Sequence, residues 1–105
     1  MPTASSATVP MERYYRAAEV LTVLSHARRL AILDVLSRRG TVSLGEAIYE
    51  AGCRTEGALK DAHDMERMGL ITVERPTGRN LSCVCTITPE GRQALEFANH
   101  WRDPS

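Results

Sequence analysis

Three residues, Gly52-Cys53-Arg54, separate two helical patterns within the stretch Val42 to Ile71, and this short connection limits the chain more than any other feature. Ahead of it, Ser43 is followed three residues later by Glu46. This is a capping box, in which each side chain can satisfy an orphan amide of the first turn, so a short helix is expected from Leu44. Gly52 offers the left-handed residue that ends a helix. Thr55 and Glu56 then supply a second N-cap and a negative charge at a positive helix end. Helices joined this tightly cannot lie antiparallel and must cross steeply, which is the helix-turn-helix arrangement.

The flanking segments read as three more helices and a hairpin. Residues 1–10 are small, polar and proline-bounded, and are expected to form a disordered leader; residues 11–105 are expected to form one domain. From Met11 to Leu24, Glu12, Arg13, Arg16 and Glu19 gather on one side. Tyr14, Tyr15, Ala17, Ala18, Val20, Leu21 and Leu24 cover a sector wide enough to meet both a core and a second subunit. Ser25 is a candidate cap for a helix over Ala27 to Arg39, whose Leu30, Ala31, Ile32, Leu33, Val35 and Leu36 leave almost no polar face, so this helix should be central. Arg28 and Arg29 sit at its N-terminal end, where the dipole disfavours cations, and so should have a partner elsewhere, a phosphate or an acidic residue of the fold. Ile71 to Arg75 and Leu81 to Thr88 alternate as strands around a turn at Pro76 to Asn80, and this two-stranded hairpin must lay its apolar face on the helices. Thr88-Pro89-Glu90 starts a last helix running to about Trp101, on which Ala94, Phe97, Ala98 and Trp101 form one apolar stripe. An exposed stripe ending in Trp needs a partner surface.

Charge raises an objection to reading the helix-turn-helix as a DNA binder. Thirteen bases balance thirteen acids over the 105 residues, and the central stretch, residues 41 to 71, carries three bases against six acids. Three cysteines without a charged-then-apolar leader point to a reducing compartment, and no apolar run approaches the roughly 20 residues that span a bilayer. A cytoplasmic protein without membrane contact is expected.

Three stretches resemble known bacterial regulators. Leu24-Ser25-His26-Ala27-Arg28-Arg29-Leu30-Ala31-Ile32-Leu33 is similar to the entry into the second helix of arsenic-repressor-like (ArsR) proteins, with His26 and Ala27 in place of the usual Asp-Pro. The spacing of Gly52 to Gly69 and the ending Glu66-Arg67-Met68-Gly69-Leu70-Ile71 resemble the recognition helix and first wing strand of ArsR-like and MarR-like regulators. Ile87-Thr88-Pro89-Glu90-Gly91-Arg92 resembles the MarR-like exit from the wing. The resemblance implies a mainly α (α+β) winged helix-turn-helix with a two-stranded wing, held as a homodimer by its first and last helices. Paired recognition helices would then enter successive major grooves of double-stranded DNA. The interface implied by the apolar sectors is Tyr14, Tyr15, Ala18, Leu21, Ala94, Phe97, Ala98 and Trp101. Val42, Ser43 and Leu44 stand where ArsR-like metal sensors often carry Cys-x-Cys, so no metal site of that type and no cofactor is expected.

Helical geometry then sorts the acids of the recognition helix. With Ala58 inward and about 100° per residue, Ala62, Met65 and Gly69 share its direction. The opposite stripe is Glu56, Lys60, His63 and Arg67; Asp61 falls near the core, and Asp64 and Glu66 lie on the flanks. Base-reading candidates are Arg54, Thr55, Glu56 and Lys60, because the N-terminal part of such a helix enters the groove, where Arg or Lys suits guanine and Glu suits cytosine. Gly57, costly inside a helix, is expected where a backbone must approach closely. The plain alternative for these residues is a solvated helix face. Arg75 and Arg79 flank the hairpin turn, where a wing tip would reach phosphates or the minor groove. Cys83 and Cys85 share a strand face and read as core rather than as a soft-metal or redox pair, since no adjacent His or Cys completes a tetrahedral set. Cys53 also reads as core, and no nucleophile, base and acid grouping suggests an enzyme. The expected function is a sequence-specific DNA-binding transcriptional repressor. The competing reading is a winged-helix adaptor of the transcription machinery or of a phage or plasmid system, presenting Glu50, Glu56, Asp61 and Asp64 to a basic partner. A ligand or redox sensor on the same dimer is the third.

Overall fold

The computed structural model describes residues 9–75 and 82–104. The expected leader up to residue 8, the hairpin turn with Arg79, and Leu81 lie outside the described residues. Among the described residues eight elements follow one another: α1 Glu12–Val23, α2 Ala27–Arg39, β1 Thr41–Ser43, α3 Leu44–Ala51, α4 Ala58–Arg67, β2 Ile71–Glu74, β3 Val84–Ile87 and α5 Pro89–Asn99.

α2 is the hub, as its nearly all-apolar sequence requires. Ile32, Leu33, Val35 and Leu36 are buried, and the helix packs against α3, α5 and β3. Its cap differs from expectation. His26 holds the N-cap position without a side-chain hydrogen bond, and the Ser25 hydroxyl instead donates back to the Thr22 carbonyl at 2.7 Å, closing α1 rather than opening α2. α1 reaches the core only through its C-terminal end, where Val23 and Leu24 are buried and Val20 partly so.

The sheet has three strands rather than the two of a simple hairpin, in the order β1-β3-β2. β3 is central: Val42 pairs with Cys85 on one side, and Val73 pairs with Cys85 on the other. The Thr41 and Thr86 hydroxyls meet at 2.9 Å across the first pair, and the Leu44 amide donates to the Cys83 carbonyl at 2.8 Å where β1 hands over to α3. Three residues, from Thr41 after Gly40 to the capping Ser43, are too few for a legible alternation, so β1 exists only because β3 arrives beside it. β3 is shorter than the alternating run suggested, occupying Val84–Ile87.

Thr88 closes the fold. Its hydroxyl accepts the Gly91 amide at 3.0 Å as the cap of α5 and donates to the Gly69 carbonyl at 2.7 Å, while its own amide donates to Leu70 at 3.0 Å. α5 can sit this close only because residue 91 has no side chain: a Cβ there would stand 2.1 Å from the Leu70 carbonyl oxygen. Leu95 is the side chain by which α5 enters the core, and the helix ends at Asn99, short of Trp101.

Candidate nucleic-acid interface

α3 begins as the sequence indicates, with the Ser43 hydroxyl accepting the Glu46 amide at 3.1 Å. The reciprocal arm is not made; the Glu46 carboxylate instead lies 3.3 Å from the same hydroxyl. Gly52 ends the helix at φ 71°, with the Cys53 amide returning to the Ile48 carbonyl at 3.1 Å. The second helix, however, starts later than its capping signals imply. Thr55, Glu56 and Gly57 form a turn closed by the Ala58 amide on the Thr55 carbonyl at 3.0 Å. Gly57, at φ 77° and ψ −2°, has the conformation of the third residue of a type II turn and serves as the N-cap of α4. The connection is therefore six residues, 52–57, and Gly57 is a turn residue rather than a weak point inside a helix. What approaches it closely is a protein side chain, Arg28, whose Nη2 would lie 2.7 Å from a Cβ at this position.

The face of α4 divides as the helical wheel requires at its extremes. Ala58, Ala62 and Met65 are buried, while Lys60, His63 and Arg67 are exposed, joined by Leu59. Asp64 departs from its expected flank position and is buried along with Asp61. Both acids are held by α2. Asp61 accepts from Arg28 Nε and, at 2.8 Å, from Arg29 Nε; Asp64 accepts from Arg29 Nη2 at 2.7 Å. Arg29 gives its remaining nitrogen, Nη1, to the Val23 carbonyl at 3.0 Å, so all three nitrogens of this buried residue donate within the fold. The partner that Arg28 and Arg29 needed is thus an acidic pair on the neighbouring helix and not a phosphate. Lys60 reaches Asp64 at 3.1 Å from the solvent side. The Asp64 carboxyl lies below the ordinary carboxylate range, first through the Lys60 hydrogen bond and then through the Lys60 and Arg29 charges, against an opposing effect of burial.

This arrangement answers the charge objection. Arg28 and Arg29 pair the two central acids of α4 from within, so Lys60, His63 and Arg67 are the charged and polar groups left on its outer face beside Glu56, although the sequence of the helix is acidic. The same pairing also takes two acids out of the expected docking flank: Asp61 and Asp64 face Arg28 and Arg29. Of the expected flank Glu50 and Glu56 remain exposed, Glu50 paired with Arg39 and Glu56 beside Arg54 at 3.8 Å.

On the sheet side, Arg75 is exposed directly after β2 and lies 3.4 Å from Glu66 at the end of α4, so the described base of the hairpin and the helix share a charged rim. Cys83 and Cys85 are buried, and burial, then the neighbouring Cys83, pushes the Cys85 thiol up to about 12. A thiol so reluctant to ionise is a packing residue. Cys53 is part-buried against the same core. Among the described residues no three His, Cys, Asp or Glu side chains are grouped as a metal ion would need, and no helix is long and apolar enough to cross a membrane.

α1 and the segment from α5 to Trp101 carry exposed apolar side chains, and Tyr15 and Ala18 of α1 also line a cleft with Arg67 and Met68 at the end of α4. Tyr14, Tyr15, Ala18, Leu21, Phe97 and Trp101 are exposed, Trp101 at 70%, with the Phe97 and Trp101 rings in edge contact at 4.8 Å. Ala94 and Ala98 are half-buried, and Ala94 packs partly into the core rather than standing wholly on the outer stripe. Leu21 and Phe97 line both a cleft of about 370 Å³ between α1 and α5 and a groove of about 510 Å³ that continues past Leu30 to Trp101. The sequence pattern missed Arg16, which crosses from α1 to donate to the Met68 carbonyl at 2.8 Å and ties α1 to the end of α4. It also missed Tyr49, 85% exposed on α3, whose position opposite Leu44, Ala47 and Ile48 on a helix wheel would have shown its outward direction.

The sequence matches no protein-family model and no curated protein. Solved structures do match. A domain from Mycobacterium bovis, described as the homodimeric winged helix-turn-helix DNA-binding domain of a possible ArsR-family transcriptional regulator, aligns over 95% of this chain and 88% of its own with TM-score 0.66 and 18% identity. The transcriptional repressor BigR from Xylella fastidiosa aligns over 86% of this chain and 87% of its own, with TM-score 0.65 and 22% identity. The fold is a winged helix-turn-helix. The multiple antibiotic-resistance repressor MarR from Listeria monocytogenes shares it at TM-score 0.64 and 10% identity, over 86% of this chain and 62% of that one. In winged-helix terms α3 and α4 are the motif, β2 and β3 form the wing, and β1 braces the wing's inner strand. The Mycobacterium bovis, Xylella fastidiosa and Listeria monocytogenes proteins are named as regulators or repressors.

Proposed function

We infer that this winged helix is a cytoplasmic, homodimeric transcriptional regulator, a repressor, that binds double-stranded DNA sequence-specifically. The observation that carries the reading is the division of α4: Lys60, His63 and Arg67 face outward, whereas Asp61 and Asp64 are turned inward onto Arg28 and Arg29. In this reading Arg54, Thr55, Glu56, Gly57 and Lys60 lie against base edges or the adjoining backbone. His63 and Arg67 continue the contact along the helix, and Arg75 and Arg79 take phosphates or the minor groove. Two copies meet through α1 and α5, using Tyr14, Tyr15, Ala18, Leu21, Ala94, Phe97, Ala98 and Trp101. That the Mycobacterium bovis domain of the same fold is described as homodimeric and DNA-binding supports this reading.

The test separates positioning contacts from reading contacts. The Arg75→Ala/Arg79→Ala double variant is expected to weaken binding to any duplex in a mobility-shift assay and to flatten the salt dependence by about two, close to one per phosphate contact removed. Lys60→Ala is expected to relax sequence preference by roughly 1–3 kcal/mol at the base it reads, with the salt slope little changed. Unaltered binding in both variants would rule this interface out.

A further inference from the structure

The sequence and the structure disagree about where α4 begins, and one side chain from outside the motif stands at the point of disagreement. Thr55 and Glu56 carry the signals of a helix start at residue 55. Had the chain followed them, the Glu56 carbonyl would point along the helix axis to accept the Lys60 amide. Instead it turns toward α2 and accepts Arg28 Nη1 at 2.9 Å. The same guanidinium gives its Nε to Asp61 in the first turn of α4, and its edge fills the space where a side chain at Gly57 would stand. One planar fork therefore grips the turn and the helix together, which a point charge could not do. Arg28 differs here from its neighbour Arg29: its side chain is 37% exposed against 8%, so it lies at the rim beside the proposed reading residues rather than in the core.

We propose that Arg28 is a positioning residue for sequence reading, one that selects the turn at 55–57 over an added helical turn and so sets where Arg54, Thr55 and Glu56 meet the bases. The proposal rests on the DNA-binding reading above. Residues 54–56 are attached to the rest of the interface through this turn. A turn of helix added there would rotate each of them about 100° per residue around the axis of α4 and carry their side chains away from the positions they hold now.

The experiment compares the full chain with Arg28→Lys, which keeps a charge beside Asp61 but loses the fork, and with Arg28→Ala. Wild-type protein selects its preferred duplex from a random library, and each protein is titrated against that duplex and a scrambled one. Both variants should lose about tenfold or more of the preference, while affinity for the scrambled duplex stays within about twofold and its salt slope is unchanged, because phosphate contacts are untouched. Cα chemical shifts of residues 55–57 in the DNA-free protein should move to helical values in both variants. Retained preference with non-helical shifts overturns the proposal. So does a parallel loss on both duplexes, the mark of general destabilisation. If wild-type protein selects no sequence at all, the DNA-binding reading fails, and the chemical shifts alone still decide whether Arg28 sets the turn.

Discussion

Arg28 and Arg29 are adjacent in the chain and nearly identical in sequence context, yet they do different things because a helix points neighbours about 100° apart. Arg29 goes inward, where Asp61, Asp64 and the Val23 carbonyl take its donors. Removing it leaves two buried carboxylates short of a partner, so Arg29→Ala is expected to cost roughly 3–5 kcal/mol in urea denaturation. Acid should weaken the same cluster. The Asp64 carboxyl titrates below its ordinary value of 3.8 in the folded chain, so its stabilising contribution is complete above that pH and disappears as pH falls through the lower folded-state value. Lys60→Ala, which removes the largest cause of that depression, should therefore flatten the acid limb of a stability profile measured by circular dichroism. Gly91 is the other single position with a sharp expectation. A methyl group there meets the Leu70 backbone, which cannot swing aside, and Gly91→Ala should destabilise by about 1–3 kcal/mol or more in thermal melts. Little of this was visible in the residues. Misplaced cations at the N-terminus of α2 signalled that a partner existed, but only the crossing of α2 over α4 supplies it.

At the scale of elements, local signals succeeded wherever the deciding contact lies within about four residues. Ser43, Gly52 and Thr88 cap as their neighbours indicate, because the groups they satisfy belong to the same turn. Ser25 and Thr55 carry equally good signals and do not cap, since a back-bond to Thr22 and the grip of Arg28 on Glu56 compete successfully. Paired substitutions should show the difference. Ser43→Ala is expected to cost about 1 kcal/mol of unfolding free energy and Ser25→Ala only a few tenths, both read from denaturant midpoints. β1 was illegible for a related reason. Its hydrogen bonds go to residues more than 40 positions later, and a three-residue strand has no period of its own.

At the scale of the molecule, two surfaces of the described residues carry the proposed contacts. One is the charged rim of α4 and the base of the wing; the other is the apolar surface of α1 and α5. The second is too aromatic to be left in water at no cost, and in the proposed dimer it is covered by its counterpart. Phe97→Glu combined with Trp101→Glu is expected to shift the light-scattering mass from two chains to one, and to reduce DNA affinity by an order of magnitude or more as paired half-site binding is lost. Neither change touches the core, which α5 enters through Leu95.

What the amino-acid order determined without help was the run of helices, the two breaks at Gly40 and Gly52, the strand before Arg75 and the capped start of α5. These depend on periodicity and on groups a few bonds away. What only the tertiary structure decided was which charges reach solvent. The acids of α4 sit at positions that a wheel places at the core margin or on a flank. Whether such a carboxylate repels a phosphate or is cancelled from within depends on what crosses behind it, and α2, some 30 residues earlier, brings Arg28 and Arg29 there. Electrostatic fields are set by distances in space, and no reading along one helix contains the distance to another.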